Sequence, residues 1–204
     1  MFDSKTPGSH RFDALFSGSD DPWRFRTRWY EARKRALTLA CLPAARYAHG
    51  FEPGCANGEL SAELAQRCDR LLVSDISQRA VELARTRLAD VSHATVVQAQ
   101  LPRDWPDAWF DLIVISELGY FLDPHSLDAL ADLARASLRP GGTVLACHWC
   151  RPIQGCALDG DAVHSRLALR IGLDVLTELR EADFILHVWS DDARSVAQRE
   201  GFDW

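Results

Sequence analysis

The sequence predicts an α/β fold with one doubly wound, mostly parallel sheet and a helical addition at its N-terminal side. After residue 43, short apolar runs alternate with longer stretches of helical periodicity, which is typical of βα units. The run at 110–115 is almost continuously apolar, as in a strand buried on both faces of a parallel sheet. The 204 residues are 47% hydrophobic and 25% charged, an ordinary balance for one globular domain.

The N-terminal part of the chain differs in composition and in apolar periodicity. Residues 1–21 contain Pro, Gly, Ser and Asp without a sustained apolar period, so they predict a mobile arm ahead of a domain at 22–204. Asp21 and Pro22 are typical of a helix cap followed by a first-turn proline. Apolar residues at helical spacing then predict a helix at 23–42, which a proline ends.

The remaining elements are predicted from the same periodicities. Strands are expected where short apolar runs lie between turn residues, and helices where apolar residues recur every three or four positions. Pro140-Gly141-Gly142 predicts a turn ahead of the fifth strand. The predicted strands are 47–52, 70–75, 94–98, 110–116, 142–149, 174–180 and 183–190, and the predicted helices are 58–68, 77–89, 125–138 and 159–171.

Net charge and hydropathy narrow the classes of function. The formal net charge of −6 disfavours a nucleic-acid binder, because phosphate neutralisation requires a basic face. No apolar run approaches the roughly 18 residues of a membrane helix, so no membrane insertion is expected. The polar start at 1–11 lacks the pattern of a signal peptide. We therefore expect a cytoplasmic protein.

The six cysteines do not predict a disulfide framework, because the chain is long and has no secretory signal. Cys147 and Cys150 form a C-x-x-C pair around His148, which raises a zinc or redox interpretation. A second such pair and a helix start are both missing, and residues three apart on a strand face opposite ways. The pattern favours reduced, packed thiols and no metal site.

The segment with most chemical information is FEPGCANGEL at 51–60, where the first predicted strand gives way to a helix. The carboxyl end of a strand borders the ligand crevice of an open α/β sheet. Gly54, Ala56 and Gly58 are small enough for a tight turn that a ligand approaches closely. A nicotinamide-dinucleotide loop would have glycine at position 59, whereas Glu59 places negative charge where pyrophosphate would lie. An oxidoreductase is therefore disfavoured.

This loop, starting at Glu52, resembles the E-x-G-x-G-x-G loop of class I S-adenosylmethionine (SAM) methyltransferases, with Ala56 in place of the middle glycine. Asp75 ends the next strand, where a carboxylate can accept hydrogen bonds from both ribose hydroxyls; helix capping is the alternative. The L-x-P-G-G sequence at 138–142 matches the family's turn before the fifth strand. The resemblance implies a Rossmann-like fold with seven strands, an antiparallel strand near the C-terminus, and SAM as cofactor with S-adenosyl-L-homocysteine as product.

The resemblance also assigns roles to individual residues. Members often have an acidic residue after the third strand for the adenine amino group, and Gln100 with the Leu101 backbone stands there in this chain. Residues 23–35 contain six Lys or Arg and one Glu, and Arg33 is the expected partner of the methionine carboxylate; a solvated helix face is the alternative. The predicted cofactor-binding residues are Trp23, Tyr30, Arg33, Glu52, Gly54, Ala56, Gly58, Asp75, Ile76, Gln100, Leu101 and Ser116.

Motifs outside the cofactor loops are similar to the nodulation protein S family. In that family a methyltransferase adds a methyl group to the free amine of a deacetylated chitin oligosaccharide. The resemblance implies N-methyl transfer to a small-molecule amine, most directly an oligosaccharide. A hydroxyl or carboxylate acceptor and a non-catalytic SAM-binding module are the alternatives. The motifs are DPW at 21–23, WYEARK at 29–34, LPxxWP at 101–106, SExGY at 116–120, His148-Trp149 and GDxxH at 160–164.

An amine must be neutral to attack a methyl group, so a nearby residue should accept or share its proton. Glu117, at the end of the fourth strand, is the first candidate, and His148 and His164 are alternatives with pKa values near neutrality. Asp161 is expected to orient a histidine or bind sugar hydroxyls, and Tyr120 to shape the acceptor pocket. A buried strand histidine is the structural alternative for His148, and helix-start capping is the alternative for Asp161 and His164.

Overall fold

The computed structural model describes residues 8–202, which form one seven-stranded sheet with helices on both faces. The strands are β1 (Gly50–Pro53), β2 (Leu71–Asp75), β3 (Ala94–Gln98), β4 (Phe110–Ser116), β5 (Leu138–Trp149), β6 (Asp174–Arg180) and β7 (Phe184–Ser190). The α-helices are α1 (Ser9–Gly18), α2 (Trp29–Ala40), α3 (Glu59–Ala65), α4 (Gln78–Arg87), α5 (Pro124–Ala136), α6 (Gly160–Ile171) and α7 (Val196–Arg199). A short 3-10 turn spans Gly119–Phe121.

The strand order is β3-β2-β1-β4-β5-β7-β6. β7 runs antiparallel to both of its neighbours, and the other pairs are parallel. The predicted mostly parallel sheet with an antiparallel strand near the C-terminus is thereby confirmed. Because the order reverses between β1 and β4, the crevice for a ligand lies at the carboxyl ends of these two strands.

The apolar core is divided by the sheet into two clusters. Ile113 and Ile115 of β4 pack on one face with residues of α5 and α6, whereas Leu112 and Val114 pack on the other with residues of α3 and α4. Successive side chains of a strand point to opposite faces, so a strand covered on both sides is apolar throughout. This explains the continuous apolar run, and β4 has the bounds that the sequence predicted.

The described part of the predicted N-terminal arm is a helix, which differs from the prediction. α1 packs against α4, and Phe16 is 2% exposed among Ala80, Leu83 and Trp23. One buried aromatic side chain does not produce a recognisable apolar period, so the pattern missed a helix whose burial comes from tertiary contact. Residues 1–7 of the predicted arm lie outside the described residues.

Other boundaries also differ from the predictions, and two of these differences have a visible cause. α2 begins at Trp29 and not near residue 23, because the Asp21 carboxylate accepts hydrogen bonds from the N–H groups of Phe25 (2.7 Å) and Arg26 (3.0 Å) and stabilises turns there. The glycines at 141–142 lie inside β5, where the pairing with β4 shifts register, and not in a turn before the strand. Over the described residues, no helix combines the length and apolarity needed to cross a membrane.

Candidate active site

A cavity of about 760 Å³ lies at the carboxyl ends of β1, β2 and β4. This volume is within the usual range of small-molecule sites. Its walls come from the loops after these strands, from the start of α2 and from α1. The predicted site residues that line it are Trp23, Tyr30, Glu52, Gly54, Ala56, Asp75, Ile76, Leu101, Ser116, Glu117 and Tyr120.

The loop after β1 has left-handed backbone at Gly54 (φ 79°), Ala56 (φ 48°) and Gly58 (φ 81°). Gly54 and Cys55 donate their backbone N–H groups to the Ser74 carbonyl at 2.7 and 2.9 Å, which ties the loop to β2. Left-handed backbone strains any residue with a Cβ, which explains why the related motif has glycine where this chain has Ala56.

Gly58 serves packing and does not line the cavity. A Cβ on Gly58 would lie 3.1 Å from Cα of Ala84, so glycine lets the start of α3 approach α4 closely. Its predicted cofactor contact is not tested by this structure, whereas its place in the motif has a packing cause. Glycine at this point of such loops commonly serves helix packing.

Asp75 connects the loop after β1 with the loop after β2. Its Oδ2 accepts from the Ala56 N–H and its Oδ1 from the Ser77 N–H, both at 2.9 Å. Ser77, and not Asp75, is the N-cap of α4, because its hydroxyl accepts from the Ala80 N–H. Burial raises the pKa of Asp75 to about 6 against the lowering effect of these backbone donors. Each carboxylate oxygen retains a lone pair that a hydroxyl can use.

Glu52 is a buried carboxyl group on the cavity wall. It is 2% exposed, and its Oε2 has no hydrogen-bond partner among the described residues. Burial raises the pKa of Glu52 to about 8. A buried oxygen of this kind is costly unless a polar or cationic group meets it, so the wall here suits a cation.

Arg33 is placed differently from the prediction. Its guanidinium forms two hydrogen bonds to the Glu181 carboxylate, at 2.7 and 2.6 Å, and it does not line the cavity. Arg28 does line the cavity, and its guanidinium has no ion pair among the described residues. Arg28 is the N-cap residue of α2 and follows the turns that the Asp21 carboxylate stabilises.

The other side of the cavity is built around the Glu117 carboxylate. Lys34 Nζ lies 2.6 Å from Glu117 Oε1, and Oε2 accepts from the Tyr120 hydroxyl and from the Trp149 N–H at 3.1 Å. Lys34 Nζ also lies 3.1 Å from Glu31 Oε2. Glu117 itself has left-handed backbone (φ 54°), which is an uncommon conformation for a residue with a side chain.

This cluster, defined by Glu31, Lys34 and Glu117, has two carboxylates and one ammonium group. Burial raises the pKa of Glu117, but the neighbouring Lys34 outweighs it, so the pKa lies below its usual range. Burial lowers the pKa of Lys34, but Glu117 and Glu31 outweigh burial and raise it. The cluster therefore lines the cavity with a net negative charge.

Lys34 was missed by the sequence prediction, although a signal for it exists. It lies four residues after Tyr30 and three after Glu31, so all three share one face of α2. Its ammonium group lies 5.0 Å from the centre of the Tyr30 ring. The prediction that placed Tyr30 over the site therefore implies a lysine beside it.

His148 and His164 lie behind the cavity and do not line it. His148 Nε2 accepts from the Gly119 N–H at 3.0 Å, and its Nδ1 is 3.0 Å from His164 Nε2. Burial lowers the pKa of His148 to about 4. The structure therefore does not place either ring where an acceptor in this cavity would meet it, because their nitrogens form hydrogen bonds away from the cavity.

Asp161 and Gln100 also lie outside the cavity lining. Asp161 is in the first turn of α6 and pairs with Arg180, while Asp159 caps the helix through the Ala162 N–H. The cap of α6 is therefore Asp159, and Asp161 forms a surface ion pair in the first turn. Gln100 is exposed, whereas its neighbours Ala99 and Leu101 both line the cavity.

α1 contributes a wall that the sequence analysis did not predict. Phe12 lies edge-on to Phe121, with ring centres 5.1 Å apart, and Asp13 accepts from the Ser77 hydroxyl at 2.5 Å. α1 therefore connects the loop after β2 with the turn after β4. Its cavity-lining residues are Arg11, Phe12, Leu15 and Phe16.

All six cysteines are free thiols, and Cys147 is buried within β5. Burial raises its pKa, which suits a packed thiol. Between residues 8 and 202, no three His, Cys, Asp or Glu side chains are grouped so as to hold a metal ion.

The sheet order, the loop after β1 and the carboxylate ending β2 together define the fold class of the SAM-dependent methyltransferases. Within this class, a family model described as "Nodulation protein S (NodS)" matches residues 15–146, well over half of the chain. The chain belongs to the nodulation protein S family, which confirms the family that the sequence predicted.

Individual relatives agree with this assignment. The nodulation protein S of Rhizobium tropici is 33% identical over 127 residues, which are 61% of this chain and 53% of the relative. A protein from Pseudomonas syringae, crystallised as a candidate methyltransferase, is 58% identical with a TM-score of 0.72, covering 80% of this chain and 99% of that one.

A third relative is a crystal structure of N-methyltransferase NodS from Bradyrhizobium japonicum WM9 in complex with S-adenosyl-L-homocysteine. It is 25% identical with a TM-score of 0.77, covering 90% of this chain and 98% of that one. The chain spans about half the length of the curated nodulation proteins that it matches. The related crystal structure, in contrast, aligns over most of this fold.

Proposed function

We propose that this chain is a SAM-dependent N-methyltransferase that methylates an amine of a small molecule, and that a deacetylated chitin-type oligosaccharide is the acceptor to test first. The observation that carries the proposal is the cluster of Glu31, Lys34 and Glu117, whose net negative charge faces the cavity. Amines are cationic in water, so this charge attracts them and disfavours carboxylates. The family relationship supports the same reaction.

We call the part of the cavity lined by Glu52, Gly54 and Asp75 its cofactor side, and its residues fit SAM. Asp75 has lone pairs for the ribose hydroxyls, and the unpartnered oxygen of Glu52 suits the α-ammonium group. Arg28 supplies an unpaired guanidinium for the carboxylate. The loop at Gly54 lets the backbone come close to the ligand. When bound, SAM supplies a methyl group on a sulfonium, already activated for displacement.

Glu117 is suited to orient an amine and not to keep its proton. Three donors occupy the carboxylate, so about one of its four acceptor sites, on Oε1, remains available. Its lowered pKa makes it a weak base, and the amine therefore releases its ammonium proton to solvent. The carboxylate then accepts an N–H of the neutral amine, which aims the lone pair and stabilises the positive charge that grows on nitrogen.

The same argument favours an amine over a hydroxyl acceptor. A hydroxyl must lose a proton of much higher pKa during attack, which requires a stronger base than an ionised carboxylate held by lysine. Trp149 and Tyr30 line this side of the cavity edge-to-face, with ring centres 5.7 Å apart. Aromatic rings of this kind offer an apolar surface for the face of a sugar.

Labelled-methyl transfer tests the proposal directly. The purified chain is incubated with methyl-labelled SAM and a glucosamine oligomer, with the fully N-acetylated oligomer as the matched control. Label is expected in the first and not in the second. A parallel melting experiment checks cofactor binding, because SAM should raise the melting temperature and NADH should not.

The other outcomes discriminate the alternatives. If both oligomers are inert and a hydroxyl- or carboxyl-bearing small molecule accepts the label, the amine proposal fails. If SAM stabilises the chain but no acceptor of any class takes the methyl group, the chain is a SAM-binding module.

A further inference from the structure

We call the part of the cavity lined by Glu31, Lys34 and Glu117 its acceptor side. Behind it, three histidines form a hydrogen-bonded row that links three elements. His148 on β5 lies next to His164 on α6, with Nδ1 and Nε2 3.0 Å apart, and His164 Nδ1 lies 2.7 Å from His187 Nδ1 on β7. The inner end of the row meets the Gly119 N–H. At the outer end, His187 Nε2 is 3.8 Å from Glu178 Oε1 on β6.

The first bond of this row determines the direction of all the others. The Gly119 N–H is a donor, so His148 Nε2 must be unprotonated, and a neutral His148 carries its hydrogen on Nδ1. That hydrogen is donated to His164 Nε2, which leaves the His164 hydrogen on Nδ1. His187 Nδ1 accepts it, so the His187 hydrogen is on Nε2 and points toward Glu178.

The surroundings keep the row neutral. Burial lowers the pKa values of His148, His164 and His187. Glu117 and Lys34 face His148 with opposite charges, and Glu178 and Arg180 do the same at His187. A second hydrogen on any ring would oppose a neighbouring N–H, so each bond of the row depends on the others.

The inner end of the row lies against the residues proposed to hold the amine. Gly119 is packed so tightly that a Cβ would lie 2.4 Å from Cγ1 of Val163 on α6 and 3.1 Å from His148 Nε2. Glu117, two residues earlier, has a left-handed backbone that its surroundings must stabilise. Tyr120, one residue later, contacts the His148 ring, with ring centres 5.6 Å apart.

We propose that His164 and His187 are positioning residues that act through His148 on the Gly119 N–H, and so hold Glu117 and Tyr120 where the acceptor amine meets them. The kinetic part of this inference rests on the proposed methyl transfer. The ring tautomers and the Gly119 hydrogen bond are independent of methyl transfer. They can therefore be measured without any substrate.

The first experiment is ¹⁵N NMR of the histidine rings in the wild-type chain at neutral pH. We expect His148 and His164 to carry hydrogen on Nδ1, and His187 to carry it on Nε2. A His148 ring with hydrogen on Nε2, or a charged ring at any of the three positions, overturns the proposal. This measurement requires neither a variant nor methyl transfer.

The second experiment compares His187→Leu with His187→Asn. The asparagine amide oxygen can stand where Nδ1 stands and accept from His164, whereas leucine leaves that donor without a partner. In His187→Leu we expect Gly119 amide exchange to accelerate and turnover of the amine to fall, each about tenfold, as the loss of one hydrogen bond implies. SAM affinity, measured by calorimetry, should not change.

The asparagine variant should restore both quantities to within about threefold of wild type. If folded His187→Leu keeps wild-type Gly119 exchange and turnover, or if asparagine does not restore them, the row has only a packing role and the inference fails. If no variant, including wild type, transfers a methyl group, the proposed function fails, while the ring tautomers and Gly119 exchange still decide the inference.

Discussion

The two sides of the cavity are built in different ways. The cofactor side consists of backbone groups and short-range contacts on two neighbouring loops, with Asp75 bonded to Ala56 and to Ser77. The acceptor side consists of side chains brought together from distant segments, since Lys34 and Glu117 are 83 residues apart. A local motif describes the first side, whereas only the packing of α2 against the ends of β4 and β5 produces the second.

This difference predicts where substitutions act. On the cofactor side, loss of the Asp75 carboxylate removes the acceptor of two backbone N–H groups but leaves no buried charge uncompensated, so the main effect should be on SAM affinity and the loss of stability should be smaller. On the acceptor side, a charge removed from a buried cluster leaves its partner uncompensated, so stability and turnover should both change.

Replacing Lys34 should have the largest effect. In Lys34→Met, Glu117 and Glu31 lose their cation while they remain mostly buried, so the free energy of unfolding should fall by about 3–5 kcal/mol in urea denaturation. Arg33→Met is the matched control, because the side chains of Arg33 and Glu181 are 43% and 31% exposed, far more than those of Lys34 and Glu31. The control should lose much less stability than Lys34→Met, because solvent screens an exposed ion pair. Equal losses in the two variants would contradict the difference drawn between the two sides.

Glu117→Gln should reduce turnover by roughly 100-fold with a glucosamine acceptor, because the amide lacks the negative charge that stabilises the developing ammonium. The SAM dissociation constant should stay the same, since Glu117 is assigned to the acceptor side. Steady-state kinetics and calorimetry on the same preparation measure the two quantities. Full turnover in this variant would remove Glu117 from the reaction.

Asp75→Ala should weaken SAM binding by about 1.5–3 kcal/mol at pH 7, the range for hydrogen bonds to a charged group. The effect should depend on pH, because the pKa of Asp75 is raised to about 6 and its carboxylate is largely protonated at pH 5. The difference in affinity between wild type and variant should therefore shrink by about tenfold from pH 7 to pH 5. A difference that stays constant with pH would show that the ribose does not depend on an ionised Asp75.

Ala56→Gly should have the smallest effect, and a stabilising one. Glycine relieves the left-handed strain at φ 48°, and we expect a gain of up to about 1 kcal/mol, or a melting temperature about 2–4 °C higher. Ala62→Gly, inside α3, should instead lose about 1 kcal/mol. If both variants lose stability, Ala56 is not strained in the native chain.

Comparison of prediction with structure shows which signals are reliable. β3, β4 and β6 have the bounds that the sequence predicted, because each has a compact run of apolar or β-branched residues that can be seen in a short window. α1 was missed because its burial depends on contacts with α4, which lie far along the chain. The cavity is lined by Arg28 and not by the predicted Arg33, because α2 begins at Trp29 and not near residue 23, so that Arg28 lies in the turns before the helix.

The sequence by itself determined the seven strands in their order along the chain, the small-residue loop at 52–58 and the acidic residue that ends the next strand. These features depend on periodicity and on backbone conformations that only a few residue types adopt, and both can be seen within a short window. The tertiary structure alone decided that Lys34 holds Glu117 and that His148, His164 and His187 form a row. The physical reason is that charge compensation and hydrogen bonding act across space, between residues whose distance along the chain says nothing about their contact.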